Sequence, residues 1–489
     1  MSHSRTSQGR ISRRTVLRLM GTGAAGALLA ACAPAATPTA SPVVATAVPP
    51  TNTKPNVAAD VNGLKTADFQ NANIDWQRFK GVTLGLAMLQ SPPATDLVKD
   101  AVKVFELVSG ATVNITELDQ NALNDRRFAD FVSKAGAFDV AWTEFELLPG
   151  YVKAGLIEPL QPFIDNANQT DKSWLALDDI YSGVLASGTV GDAQYALPLT
   201  TESTILSYRK DLISAPPDTY DDLMKMAAAA FKPNEIAGFE ARAQRGAGQN
   251  VYIWAGFLHG FGGNFLVDYP NDMHPAINSP EALAAAEFYA EILQKYGPAG
   301  VANYTNNEVH LDGQNGKTAS LIEWSGHPIL TDSPANSKTA GKWGFAQVPK
   351  GPGGRWPAIF SWTVALNAAS KNKEAGWALM ECMAAPTAGI HNSSGLIIPT
   401  RKSVADSAEY KTGASKLIAG FSDWAPVNAE ALATAKPDYR PRFAEWIEVG
   451  DTVGIALQSV IAKEKSAKDA FDKAQADIEK LLKDKNVIS

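Results

Sequence analysis

The chain has 489 residues, 45% of them apolar, with 44 basic and 51 acidic side chains and a formal net charge of −7. That length suffices for two or three packed units. The acidic balance, with no basic aromatic stripe, argues against nucleic acid as a partner, and two cysteines, Cys32 and Cys382, rule out a disulfide framework.

Arg5, Arg10, Arg13, Arg14 and Arg18 precede a Gly/Ala-rich apolar run from Leu19 to Ala31, and no acidic residue interrupts them. The run is too short for a permanent membrane span. Basic head, apolar run and small residues together predict a removable signal peptide over residues 1–31. Within it, Ser12-Arg13-Arg14-Thr15-Val16-Leu17-Arg18 resembles the twin-arginine export motif. Leu29-Ala30-Ala31-Cys32 resembles the bacterial lipobox, which makes Cys32 the expected lipidation site and the first mature residue. The protein is therefore expected outside the cytoplasm, anchored to the outer face of the membrane. Removing the five arginines leaves 39 basic residues against 51 acidic ones, a net charge of −12. Gly21 to Gly26 matches GxGxxG but lies inside the removed segment, without the strand and helix that motif needs. After Cys32 come mostly Pro, Ala and Thr with no apolar periodicity, which predicts a semi-extended tether, placed at residues 32–70.

The body begins with a short apolar run, Val82 to Leu89, that reads as a buried strand. Thr95 then precedes a helical pattern through Phe105, Ser109-Gly110 stops it, and Thr112 to Thr116 alternates as a strand. Strand, helix and strand in this order predict a βαβ unit and a parallel sheet. Asp139 to Trp142 is a further short strand. Helices are expected over Asp221–Phe231 and Glu281–Tyr296, the second with Ser279 as N-cap, Pro280 at the first helical position and Gly297 past the end. Strands are expected at Ile205–Tyr208, Ala319–Trp324, Gly344–Val348 and Trp362–Leu366. Cys382 lies in an apolar helical run and is expected simply to pack. In the last helix Ala467, Phe471, Ala474, Ile478 and Leu481 share a face. The fold class is α/β.

Catalytic and metal signatures are sparse. No two of the six histidines share ligand spacing, and HExxH and GxSxG do not occur. Gly316-Lys317-Thr318 imitates the end of a P-loop, but Leu311 stands where the first glycine belongs. No metal and no cofactor are expected. Carboxylates such as Glu144 and Glu146 leave a glycosidase open as an alternative.

One resemblance is specific. Phe138-Asp-Val-Ala-Trp142 with Gly155-Leu-Ile-Glu-Pro-Leu160, Tyr195-Ala-Leu-Pro198 with Ser207-Tyr-Arg-Lys-Asp-Leu212, Trp343 to Lys350, and Asn367 to Glu374 follow one another as in the extracellular solute-binding proteins that deliver sugars to ABC transporters. Glu202-Ser203, Phe261-Gly262-Gly263, Lys295-Tyr296-Gly297-Pro298 and Phe360-Ser361-Trp362 are similar to the sorbitol- and mannitol-type polyol binders within that family. Thr143 to Glu146 and Trp324 depart from the wording of that subgroup.

The resemblance implies two lobes joined by a hinge, with a central ligand cleft. One lobe is expected over 75–200 plus 344–395 and the other over 201–343 plus 396–489. It also implies capture without catalysis, a monomer, and the permease subunits of a transporter as partners. A sugar or polyol needs flat aromatic walls and side chains that trade hydrogen bonds with hydroxyls. On that basis Trp142, Glu144, Glu146, Glu202, Arg242, Asn250, Glu323, Trp324, Phe360 and Trp362 are the expected ligand-binding residues. The alternatives are a lipid-anchored glycosidase using cleft carboxylates, or a binder of another class of solute.

Overall fold

The computed structural model describes residues 59–90, 94–393 and 398–489. The signal peptide, Cys32 and residues 32–58 of the tether lie outside them. The expected tether ends too late. Asp60–Val61 and Leu64–Lys65 pair as a small hairpin, a short helix covers Thr66–Gln70, and Leu64 and Phe69 are buried in the first core.

The apolar run after Val82 forms β1 (Thr83–Leu89). Helix α1 (Ala94–Ser109) and β2 (Thr112–Leu118) follow, and β1 and β2 pair in parallel, completing the expected βαβ unit. Thr95 lies inside the first turn of α1 rather than at its cap. Gly110 takes the positive φ that reverses the chain into β2. Helix α2 (Gln120–Ser133) is capped by Asp119, whose carboxylate accepts the Ala122 N–H at 3.0 Å, and it leads to β3 (Val140–Glu144), parallel to β1.

The next main strand, β4 (Ala196–Arg209), runs for 14 residues. Helices α3 (Asn250–Gly260) and α4 (Pro280–Tyr296) come before β5 (Ser320–Trp324), β6 (Trp343–Gln347) and β7 (Ile359–Leu366). The α4 termini match their sequence: the Ser279 hydroxyl accepts the Ala282 N–H at 3.2 Å, and Gly297 is the C-cap. The order across the sheet is β5-β4-β7-β3-β1-β2, with β6 also paired to β4.

Two strands join the halves of this sheet. Residues 196–203 of β4 pair with β7, while residues 204–209 pair with β5 and β6. Only Ile205–Tyr208 of this strand is expected from the sequence; the rest includes Pro198, a residue rare in central strands. The register explains its tolerance. Trp362 faces Thr200 and Thr363 faces Pro198, so Leu199 is an extra residue in a bulge.

Each lobe has its own core. Leu84, Phe105, Val140, Leu197, Val364 and Trp377 belong to the first; Leu206, Trp254, Tyr289, Trp446 and Phe471 belong to the second. A third cluster around Trp343, Phe345 and Trp424 flanks the second. These cores correct the expected lobe boundaries. β6, Val348 and Ala358 pack on the second-lobe side, so the chain returns to the first lobe along β7 and not at residue 344. Arg401, assigned to the second lobe, donates instead to the carbonyls of Leu175, Ala176 and Ala384. Helix α5 (Lys373–Ala384) closes the first lobe; within it Cys382 is buried against the Ala101 carbonyl. Helices α6 (Trp446–Ile461) and α7 (Ala467–Asp484) close the second, with Leu482 rather than Leu481 completing the buried face of α7. Gly316 is the left-handed C-cap of the helix Asn306–Asn315, which accounts for the P-loop-like string. Among the described residues, no helix is long and apolar enough to cross a membrane.

Candidate ligand-binding cleft

Where β4 and β7 pass between the lobes, a cavity of about 560 Å³ opens, in the range of a small-molecule site. Alternation on the two strands aims its floor. Phe360 stands directly opposite Glu202 and Trp362 opposite Thr200, so these side chains share a face. On the other side of β7, Trp362 stands opposite Glu144 of β3. Phe360 and Trp362 meet edge to face with ring centroids 5.8 Å apart, and both line the cavity.

Two further walls belong to the first lobe. α2 presents Gln120 and Asn124, one turn apart, and both donate to Glu144, at 2.5 and 3.3 Å. Arg127 holds Asn124 in that orientation by donating to its side-chain oxygen at 2.7 Å. Glu146 sits in the 3₁₀ turn after β3 and lines the same space.

The second lobe supplies the Gly-rich loop before α3, Tyr252 on α3, Asp451 on α6 and Arg440. Arg242 makes a two-pronged pair with the buried Glu323, at 2.5 and 2.6 Å, and donates to the Gly248 carbonyl at 2.9 Å. Arg440 pairs with Glu146 across the lobes and donates to the Ala247 carbonyl at 2.7 Å. The ring of Tyr252 lies between the two guanidinium groups, 4.9 and 5.0 Å from their carbons. Asp451 accepts the Ala247 N–H at 3.1 Å, which pins the loop.

Burial sets the proton affinities. It lifts Glu202 to about 7, with Arg242 opposing and Glu323 adding to the rise. It lifts Glu146 to about 7 as well, with Arg440 opposing and Glu144 adding. Burial would raise Glu323 too, but the Arg242 fork overrides it and holds that carboxyl below the usual range.

Of the ten residues expected at a ligand, Glu144, Glu146, Glu202, Arg242, Phe360 and Trp362 line the cavity; Trp142, Asn250, Glu323 and Trp324 do not. Trp142 is buried beneath Trp362, with ring centroids 6.3 Å apart. Asn250 is fully buried and donates to the carbonyls of Ala243 and Gly454. Glu323 stands behind the wall as the partner of Arg242. Trp324 donates its indole N–H to His310 at 3.2 Å. The His310 Nε2 also lies 3.6 Å from the Glu323 carboxylate.

Gln120, Asn124, Tyr252, Arg440 and Asp451 line the cavity without having been anticipated. Asp119 as a cap signal would have placed Gln120 and Asn124 on one helical face. Arg440 follows Pro437-Asp438-Tyr439 and carries no periodic signal. Among the described residues, no group of His, Cys, Asp and Glu is arranged to hold a metal ion.

Relatives place this geometry in context. The erythritol/L-threitol-binding protein of Mycolicibacterium smegmatis is 25% identical over 396 residues, covering 76% of this chain and 77% of its own. The mannitol-binding protein of Pseudomonas aeruginosa is 25% identical over 383 residues, 73% of this chain and 83% of its own. Among solved structures, an ABC transporter solute-binding protein from Agrobacterium radiobacter in complex with ribitol is 28% identical, with a TM-score of 0.70, covering 82% of this chain and 99% of that one. A family model for the bacterial extracellular solute-binding proteins matches residues 91–390, more than half of the sequence. The chain belongs to the bacterial extracellular solute-binding proteins.

Proposed function

We propose that this protein captures a sugar alcohol or small sugar outside the cytoplasm and hands it to the membrane permease of an ABC importer. The observation that carries this reading is the cleft itself. Edge-to-face aromatics and a ring of carboxylates and amides converge where β4 and β7 link the lobes. Aromatic faces suit the C–H surface of a polyol, while carboxylates and amides suit its hydroxyls. The names of the erythritol- and mannitol-binding relatives support the same class of ligand.

Capture then works by population shift. A ligand held at once by Glu144 and Trp362 and by the Gly-rich loop and Asp451 of the second lobe touches both walls only when the lobes are closed, so binding favours the closed state. The ligand leaves chemically unchanged, and no cofactor takes part. The protein acts as a monomer, lipidated on Cys32 after twin-arginine export, and the Pro/Ala/Thr tether keeps its local concentration at the permease high without a strong docking interface.

Thermal shift of the purified protein against ribitol, mannitol, erythritol, maltose and glycerol phosphate tests the reading. A polyol should raise the melting temperature and be recovered intact. A response only to another solute class, or release of a cleaved product, would overturn it.

A further inference from the structure

The charges around the cleft do not balance. Its walls carry four carboxylates, Glu144, Glu146, Glu202 and Asp451, against two guanidinium groups, Arg242 and Arg440. Both cations are already engaged, Arg242 by Glu323 and Gly248, and Arg440 by Glu146 and Ala247. Counting the layer behind the wall, where Glu323 and Arg127 stand, gives five carboxyls against three guanidinium groups, and the negative surplus is full only above about pH 7, where Glu146 and Glu202 are ionised. The Arg442 guanidinium, which also acts on Glu146, has Asp438 beside it at 3.5 Å.

The remaining carboxylates are met by neutral groups. Glu144 takes two amide donors and Asp451 a backbone N–H. Glu202 faces Tyr252, which is 1% exposed and whose hydroxyl acts on that carboxyl. Glu202, which lines the cavity, therefore has a neutral neighbour in Tyr252 and acceptor capacity left for a ligand. Such a site offers many acceptors and no free cation, in surroundings where an unbalanced charge is costly.

We infer that the cleft selects its ligand by charge as well as by shape: it prefers a polyhydroxylated chain bearing a protonated amine, an amino-polyol, over the neutral polyol, and rejects the corresponding acid. The inference rests on the polyol reading above. An ammonium group near Glu202 and Tyr252 would form charge-assisted bonds, roughly twice as strong as neutral ones, and would cancel part of the surplus. A carboxylate or phosphate would add to it without a free guanidinium to receive it.

Three ligands with one six-carbon skeleton test this by titration calorimetry: D-glucitol, 1-amino-1-deoxy-D-glucitol and D-gluconate, with charges of about 0, +1 and −1 near neutral pH. At about pH 8 the amine should bind about tenfold more tightly than glucitol, and gluconate should give no measurable heat. The advantage should shrink at about pH 5.5, where Glu146 and Glu202 take up protons while the amine keeps its charge. Glu202→Gln should reduce the advantage at pH 8; if that variant does not fold, Asp451→Asn, at the exposed mouth, should reduce it in part. Glucitol binding as tightly as the amine, or gluconate binding comparably, would overturn the charge preference and leave the polyol reading intact. Binding of the amine with no response to any neutral polyol would overturn the polyol reading and support the preference. A response only to an unrelated solute would overturn both.

Discussion

Glu146 and Arg440 form an ion pair that joins the two lobes at the wall of the cleft, with side chains only 4% and 1% exposed. Glu146 comes from a turn packed into the first core and Arg440 from a segment packed into the second. Removing one partner strands the other charge in the interior, so Arg440→Ala should destabilise the protein by about 3–5 kcal/mol in urea unfolding. Replacing both by leucine should cost much less, because no charge is left behind. A loss below about 1 kcal/mol for the single change would show that the stranded carboxyl simply takes up a proton.

Trp362 and Trp142 differ in role although they touch. Trp362 is half-buried and lines the cavity, whereas Trp142 is covered by it. Trp362→Ala should weaken polyol affinity by about tenfold or more while the ligand-free protein still folds. Trp142→Ala removes a buried ring and should cost about 3–5 kcal/mol of stability. Calorimetry and denaturant titration of the two variants separate these outcomes; unchanged affinity in Trp362→Ala would remove that residue from the site.

Stability should depend on pH through the cleft carboxyls. Glu146 and Glu202 are lifted to about 7 by burial, against an ordinary value of 4.5. Between those values the native state holds more protons than the unfolded chain. The contribution is therefore complete below about 4.5 and is lost as pH rises through about 7. Glu323, held low by Arg242, acts in the opposite sense, contributing above 4.5 and fading only in stronger acid. The melting temperature of the ligand-free protein should fall by a few degrees from about pH 5 to about pH 8. Glu202→Gln should flatten that slope, and an unchanged slope would mean the carboxyl titrates normally.

Asn250 tests the line between site and scaffold. Its amide ties the Gly-rich loop to α6 through the carbonyls of Ala243 and Gly454. Asn250→Ala removes both bonds and leaves the buried Ala243 carbonyl without its donor, while the Gly454 carbonyl keeps its helical partner, so a loss of about 1–3 kcal/mol is expected. Affinity should change less than in Trp362→Ala; the reverse order would place Asn250 at the ligand.

The proposed lipid attachment is tested by Cys32→Ser. Cell fractionation should find the wild-type protein with membranes and the variant released. Retention of the variant on membranes would mean that something other than Cys32 holds it.

What could be read from the sequence follows local physics. The βαβ unit and α4 announce themselves through periodicity and caps at Ser279 and Gly297. The polar string from Arg242 to Asn250 reads as a loop, and only its last residue, Asn250, belongs instead to helix α3. Helix α3 gives no such signal, because Asn250 to Gly260 is buried on nearly every side and has no polar face to set a period. Only the Ile205–Tyr208 end of β4 is legible, since the bulge that accommodates Pro198 depends on β7, more than 150 residues away. Asn250 and Glu323 have the right chemistry for a ligand, but only the packed structure shows that backbone carbonyls and Arg242 already occupy them. Arg440 reaches the cleft from a stretch with no repeating pattern at all.

The long strand β4 changes its partners between Ser203 and Thr204. At that point side-chain hydroxyls take over bonding from the regular ladder. Ser203 donates to the Ala358 carbonyl at 2.7 Å, the Ala358 N–H donates to Thr204 at 2.9 Å, and the Ser203 N–H reaches the Ser325 hydroxyl at 3.2 Å. A hydroxyl can swivel to follow its partner through a change of angle that would break a fixed amide bond. Swivelling hydroxyls and one backbone bond, from the Ser325 N–H to the Ser203 carbonyl at 2.6 Å, thus stand between the two ladders, and a rotation of one lobe against the other would cost least there.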